Sequence, residues 1–271
     1  MSDALILLVR DGVDVFDLGR QLSVGMPQSP NHPQFWHTLP RRHGDSYRAD
    51  GSSAANDMIT TGTHVGTHID ALAHVSHEGK LFGGVDALQA GVGGKYIEHG
   101  VHTIDPIISR GVLLDVPNVL GLDICKPGYE ITPADLELAE SDARVSVARD
   151  DVVLIRSGWG QNFDRGTEAY VGKESGVPGI SEAGAHWLAS RRVRAAGADT
   201  IAFERLAPGG GHTLLPAHRV LLVEQGIYII EALDLERLAE STHREFTVIV
   251  IPLNIYGATG SPVRPLAVVP S

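Results

Sequence analysis

The chain has 271 residues, with 22 Lys+Arg against 33 Asp+Glu and a formal charge of −11. That acidity argues against nucleic acid and anionic membranes as partners, since both call for a basic patch. A 43% hydrophobic share is enough for an ordinary globular core, and the single cysteine, Cys125, excludes an internal disulfide and any Cys-rich zinc site.

The N-terminal apolar run Ala4–Val9 reads as a short strand or a helix start and ends at Arg10-Asp11, too short for a signal peptide or anchor. Residues 26–44 carry Pro27, Pro30, Pro33 and Pro40 and read as irregular, because proline is not tolerated inside a helix. Phe35 and Trp36 within that segment either wall a substrate pocket or pack on the core. Ala55–Thr63 reads as a strand or turn, and Gly83-Gly84, Gly91 and Gly93-Gly94 punctuate loops. Gly111–Val116 is a buried-strand candidate. Thr132 caps a helix with Pro133 at its first position, running to about Ser141. Asp151–Ile155 is a strand. Ser181–Ala196 reads as a helix, capped by Ser181 and stopped by Gly197. Thr200–Phe203 is a short strand, Pro216–Glu224 helical, Ile227–Glu231 a strand ending on an acid, Leu233–Ala239 a short helix and Phe246–Leu253 a final strand. The longest apolar stretch, Phe246–Ile255, holds Pro252 and Asn254 and is far short of the roughly 20 apolar residues of a spanning helix. The expected protein is soluble and cytoplasmic. Strands alternating with helices indicate an α/β fold.

The densest chemistry lies in Thr63-His-Val-Gly-Thr-His-Ile-Asp-Ala-Leu-Ala-His74, and four of the 13 histidines fall between His64 and His77. Thr61, Thr63, Val65 and Thr67 are β-branched, and Gly62 and Gly66 weaken a helix, so extended geometry is expected. His64, His68 and Asp70 then share one face. Two neutral imidazoles and a carboxylate suit a borderline divalent ion such as Zn²⁺, Mn²⁺ or Fe²⁺. His74, four residues on, is either a further ligand or an unligated general base. His77 reads as exposed. A distant residue should complete the site, from Glu231, His218 or His212. Glu231 is preferred because a carboxylate closing an apolar strand is expensive unless paired or metal-bound. A motif near residue 70 and a partner near residue 231 must meet in one site, so residues 1–271 are expected to form one domain. Gly-x-Ser-x-Gly, Cys-His and P-loop signatures are absent from the sequence.

The run His64-Val-Gly-Thr-His68-Ile-Asp70-Ala-Leu-Ala-His74 resembles the signature of the metal-dependent cyclase family, which includes kynurenine formamidases and isatin hydrolase. Weaker echoes are Asp17-Leu18, Asp151–Trp159, Pro178-Gly-Ile180, Ala198-Asp-Thr200 and His218 through Gly226 to Glu231. The resemblance implies His64, His68 and Asp70 as ligands of a first metal and His74 as the acid/base residue. It implies Asp70 and Glu231 bridging to a second ion with a distal histidine, His218 or His212. It also implies an α/β domain around a mostly antiparallel, barrel-like sheet flanked by helices (the cyclase-like swivelling β/β/α fold), as a homodimer or homotetramer. The expected activity is hydrolysis of an amide, lactam or lactone of a small molecule, arylformamidase-like, with one or two Zn²⁺ or Mn²⁺ ions. Two alternatives are a non-haem Fe(II) oxygenase using His68-x-Asp70 and a distal His, and a non-catalytic metal-stabilised binding protein.

Overall fold

Nine strands form one mixed sheet, curled into a half-barrel. They are β1 (Val13–Asp17), β2 (His68–Asp70), β3 (Ile107–Asp115), β4 (Val152–Arg156), β5 (Ala195–Ala198), β6 (Tyr228–Glu231), β7 (Glu245–Val250), β8 (Gly260–Pro262) and β9 (Leu266–Pro270). Their spatial order is β1-β9-β7-β3-β4-β5-β6-β2-β8. The structure is a computed structural model and describes Ile6 and residues 10–271, so the reading of Ala4–Val9 falls, Ile6 aside, outside the described residues.

Five of the eight pairings are antiparallel, and the other three join β3, β4, β5 and β6 in a parallel core. Parallel neighbours need a long crossover. Here each contains a helix: α1 (Pro133–Ala143), α2 (Glu182–Ser190), and the segment Pro216–His218 that continues as a π-helix over Arg219–Gln225. The parallel strands are buried on both faces, which is why they read as unbroken apolar runs. Val112, Leu114, Val153, Ile155 and Ile229 pack under the helices with Leu136 and Leu188. The alternate residues Leu113, Val152, Leu154 and Ile230 pack on the opposite face with Ile69, Phe246 and Val248.

Local chemistry explains most of the boundaries. Thr132 accepts from Asp135 N, and Asp135 accepts from Thr132 N, a reciprocal capping box that starts α1 next to Pro133. Ser181 likewise accepts from Gly184 N at the start of α2.

Four expectations are corrected. Helix α2 ends at Ser190, not Ala196, because Arg192 turns the chain at φ 57° and the next residues enter β5. Gly197 therefore sits in a strand rather than stopping a helix. A side chain there would strike Leu233 and Leu154, so glycine lets β5 pack closely. Thr200–Phe203 is not a strand. Within residues 26–44, Trp36–Arg41 is a strand paired with Asn56–Thr60, and Pro40 falls at the register irregularity between Thr38 and Arg41, where a missing N–H is tolerated. Lastly, β7 stops at Val250, with β8 and β9 following, because Ile251, Leu253 and Ile255 turn out to solvent.

Candidate active site

The site lies where β2 and β6 meet. Their antiparallel register sets Glu231 opposite His68 and Ile229 opposite Asp70. His68 and Asp70, two residues apart, share a face of β2, while Ile69 between them is buried in the core behind. On the other side of β2, Gly260 of β8 lies opposite Asp70. His64 does not belong to this strand. The chain reaches β2 through a turn in which Gly66 takes φ 67°, so the extended reading holds only for residues 68–70. The Thr67 hydroxyl donates to Ala232 O at 2.7 Å and pins this turn to the end of β6. His218 enters from the crossover between β5 and β6.

Six of the expected residues converge. His64 Nδ1 donates to Asp70 Oδ1 at 2.7 Å, and its Nε2 lies 2.9 Å from the Thr259 hydroxyl. His68 Nδ1 donates to Gly66 O at 2.8 Å, which turns Nε2 toward Asp70 at 3.6 Å and Glu231 at 3.5 Å. His218 Nδ1 lies 2.7 Å from Glu204, and its Nε2 stands 3.6 Å from Asp70 and 3.2 Å from Glu231. His74 stacks on His64 with ring centroids 3.9 Å apart. His64, Asp70 and His74 form one group able to hold a metal ion, and Asp70, His218 and Glu231 a second. Asp70 belongs to both.

Electrostatics make the same point. With Nδ1 of His68 and His218 committed to outer acceptors, their Nε2 lone pairs and two carboxylates would face one another with no proton between them. Asp70 Oδ2 and Glu231 Oε1 are buried without an aligned hydrogen bond, although His218 Nε2 lies near both carboxylates. Orphaned buried acceptors of this kind are costly. His218 Nε2 faces Oδ2 of Asp70 and Oε1 of Glu231 at 3.6 and 3.2 Å, the two oxygens left without a hydrogen bond, while His68, outside both groups, faces the other oxygen of each carboxylate at 3.6 and 3.5 Å. The residues therefore fit a divalent cation.

Without a cation, protons share the task. Burial pushes His68 down to about 4 and His74 down to about 3, so both rings are neutral at pH 7. Burial pushes Glu231 up to about 7. Burial would also lower His218, but its contacts with Asp70, Glu204 and Glu231 hold it well above the usual imidazole range. Asp70 is held well below the carboxylate range, because His74, His218 and His64 outweigh its burial.

A cavity of about 250 Å³ opens onto these groups, with Pro27, Ser29, His32, Ile201, His212 and Leu215 along its walls. The proline-rich segment does wall the site, though not through its aromatic pair. Phe35 is 6% exposed, packed with Met26 and Val65, while Trp36 is 57% exposed on the outer hairpin. Neither lines the cavity, because the chain has already turned away after His32. His212 lines the cavity but stands outside both ligand groups. His77 is exposed, as expected.

Known proteins supply the remaining evidence. Residues 16–205 match the sequence profile of the Cyclase family. The chain belongs to that family. Isatin hydrolase of Roseibium aggregatum is 24% identical over 97% of this chain and 94% of its own. Kynurenine formamidase of Geobacillus thermodenitrificans is 28% identical over 92% of this chain and 94% of its own. A solved structure described as a novel cyclase has a TM-score of 0.86 at 27% identity, covering 98% of this chain and 93% of that one.

Three further parts of this candidate site escaped the sequence reading: Glu204, Thr259 and Gly260. Glu204 follows the apolar run Ile201–Phe203, the same signal that singled out Glu231, and could have been found that way. Thr259 and Gly260 carry no local signal, because their role comes from strand pairing alone. A Cβ on Gly260 would lie 2.5 Å from His64 Cε1. Gly260→Ala is therefore expected to displace the His64 ring, costing about 1–3 kcal/mol of stability from overpacking together with measurable metal affinity. Denaturant unfolding and chelator competition read the two effects, and wild-type values in both would show that the ring has room to shift.

Proposed function

We propose that this protein is a metal-dependent hydrolase that opens an amide, lactam or lactone bond of a small molecule, arylformamidase-like in its chemistry. The observation that carries this reading is the convergence of His218 Nε2 on the unpartnered oxygens of Asp70 and Glu231, with His64, His68 and His74 around the same carboxylates, in a small cavity. The isatin hydrolase and kynurenine formamidase relatives, aligned over nearly the whole chain, support the same class of reaction.

In this reading His64, His68 and Asp70 hold one ion, and Asp70, Glu231 and His218 a second, with His218 rather than His212 in the distal place. Zn²⁺ or Mn²⁺ suits such an N/O donor set. Bound there, the ion would supply a water of lowered pKa and polarise the scissile carbonyl. The chain's own part is proton handling and positioning. His74, kept neutral by burial, accepts the proton as water adds to the carbonyl carbon. It then returns that proton to the leaving nitrogen or oxygen as the C–N or C–O bond breaks. Ile201, Leu215 and Pro27 confine the substrate against these groups. The helical crossovers of the sheet leave no support for the jelly roll that the oxygenase alternative expects.

Metal analysis of purified protein, followed by a hydrolysis screen over formanilides, cyclic imides, isatins and lactones, tests the proposal. The expected result is at least one equivalent of divalent metal and turnover of one of these classes that a chelator abolishes. Hydrolysis unaffected by metal removal, or no turnover of any class, would overturn it.

The chain is further proposed to act as one domain, in the cytoplasm, and as a homodimer or homotetramer. None of its described helices is long and apolar enough to cross a membrane. Every residue of the hairpin Trp36–Arg41/Asn56–Thr60 is exposed, including Trp36, Leu39, Met58 and Ile59. A lone two-stranded hairpin is marginal in water, and clustered exposed apolar side chains mark interfaces. Light scattering should give at least twice the 28.9 kDa chain mass, and Trp36→Ser with Met58→Ser should shift the protein toward monomer. A monomeric wild type would refute the assembly.

A further inference from the structure

Glu204 lies outside both ligand groups, yet its side chain is among the most deeply buried acids, at 1% exposure. Three donors reach it. Ala217 N donates to Oε2 at 3.1 Å and His218 N donates to Oε1 at 3.0 Å, while His218 Nδ1 lies 2.7 Å from Oε1. The neighbouring cation, Arg205, is turned away and donates to Gly128 O. The backbone around Glu204 is held firmly. Phe203 takes φ 55°, a conformation that a bulky residue rarely adopts. Ile180 N donates to Phe203 O, and Arg205 N donates to Ile180 O. A strained, buried backbone thus delivers one carboxylate to the first turn of the segment that carries His218.

Capping alone would use only the two backbone donors. The third contact is specific to the imidazole. A carboxylate accepts only, so it keeps the proton on Nδ1 and leaves Nε2 free as a lone pair. Without it the ring could take the other tautomer and donate from Nε2 to Glu231, 3.2 Å away, which would close the ligand position. We propose that Glu204 is a positioning residue that presents His218 Nε2 to the Asp70–Glu231 pair as a metal ligand. The inference rests on the metal reading above and names the group that orients its distal histidine. Such outer carboxylates orient ligating imidazoles and raise their basicity.

The test is metal affinity rather than turnover. Dissociation constants for Zn²⁺ and Co²⁺, from chelator competition, are measured alongside the visible absorption of the Co²⁺ form. Melting curves establish that each variant is folded. Glu204→Ala is expected to weaken binding by about 10–100-fold and to alter the Co²⁺ bands. Glu204→Gln keeps an oxygen for the two His218 donors and should lose less, which guards against a poorly folded alanine variant. The decisive comparison is the double variant. On a His218→Ala background, Glu204→Ala should add no further loss, because the ligand it positions is gone. An equal loss on that background would show that Glu204 acts through the fold and would overturn the proposal, as would wild-type affinity in E204A. A wild-type protein that binds neither ion would overturn this inference and the proposed function together, whereas wild-type affinity in E204A beside a metal-binding parent removes this inference alone.

Discussion

Asp70→Ala should lose bound metal and hydrolysis together. Asp70 is fully buried and is the one residue common to both groups that could hold a metal ion. Removing its carboxylate takes an oxygen from each group and leaves His64 Nδ1–H without its acceptor. Metal-based stabilisation of a developing oxyanion is worth several kcal/mol, and each 1.4 kcal/mol is a factor of ten. A fall in kcat/KM of about 10³–10⁴-fold is therefore expected, with metal content near zero. Asp70→Asn, which keeps an oxygen for His64 to donate to, separates loss of charge from loss of shape. It should fold like the parent and still bind metal poorly. Full metal content and activity in either variant would remove Asp70 from the centre of the site.

His74→Ala should uncouple the two. If His74 handles the proton and His64, His68 and Asp70 hold the ion, kcat should fall by about 10²–10⁴-fold, the usual contribution of a general acid/base, while metal content stays at the parental level. The geometry makes this a demanding test, because His74 also stands within reach of His64 and Asp70 as a possible ligand and stacks on His64 at 3.9 Å. Metal loss in His74→Ala would assign it as a ligand and leave the proton to another group. His212 and His32 are the remaining imidazoles on the cavity wall.

Much of this site was legible in a single run of residues. Dense spacing, the lack of competing cysteine and the β-branched context marked His64, His68, Asp70 and His74 before any strand was placed. Glu231 stood out because an acid closing an apolar strand demands a partner, and in the fold it faces His68 across the β6–β2 ladder. The same logic, extended to the apolar run Ile201–Phe203, would have marked Glu204 as well. The aromatic pair is a different case. Pro30 and Pro33 mark an irregular path, but composition does not say which side chains of such a path turn inward, and it was Pro27, Ser29 and His32 that did.

The sequence by itself marked the candidate donors, the α/β class and the caps of the main helices, because these depend on residue type and on short-range periodicity, while the parallel run of β3 to β6 came only from the fold. Only the tertiary structure decided that His218 rather than His212 stands beside Asp70 and Glu231, that Gly260 makes room for the His64 ring, and that Glu204 backs His218. Those three facts come from strand register and from a crossover that returns residue 218 to residue 70. The His218–Asp70 and Gly260–His64 contacts join residues more than 140 positions apart and follow from the packing of the whole sheet, whereas Glu204 reaches His218 over 14 positions because the chain bends back between them.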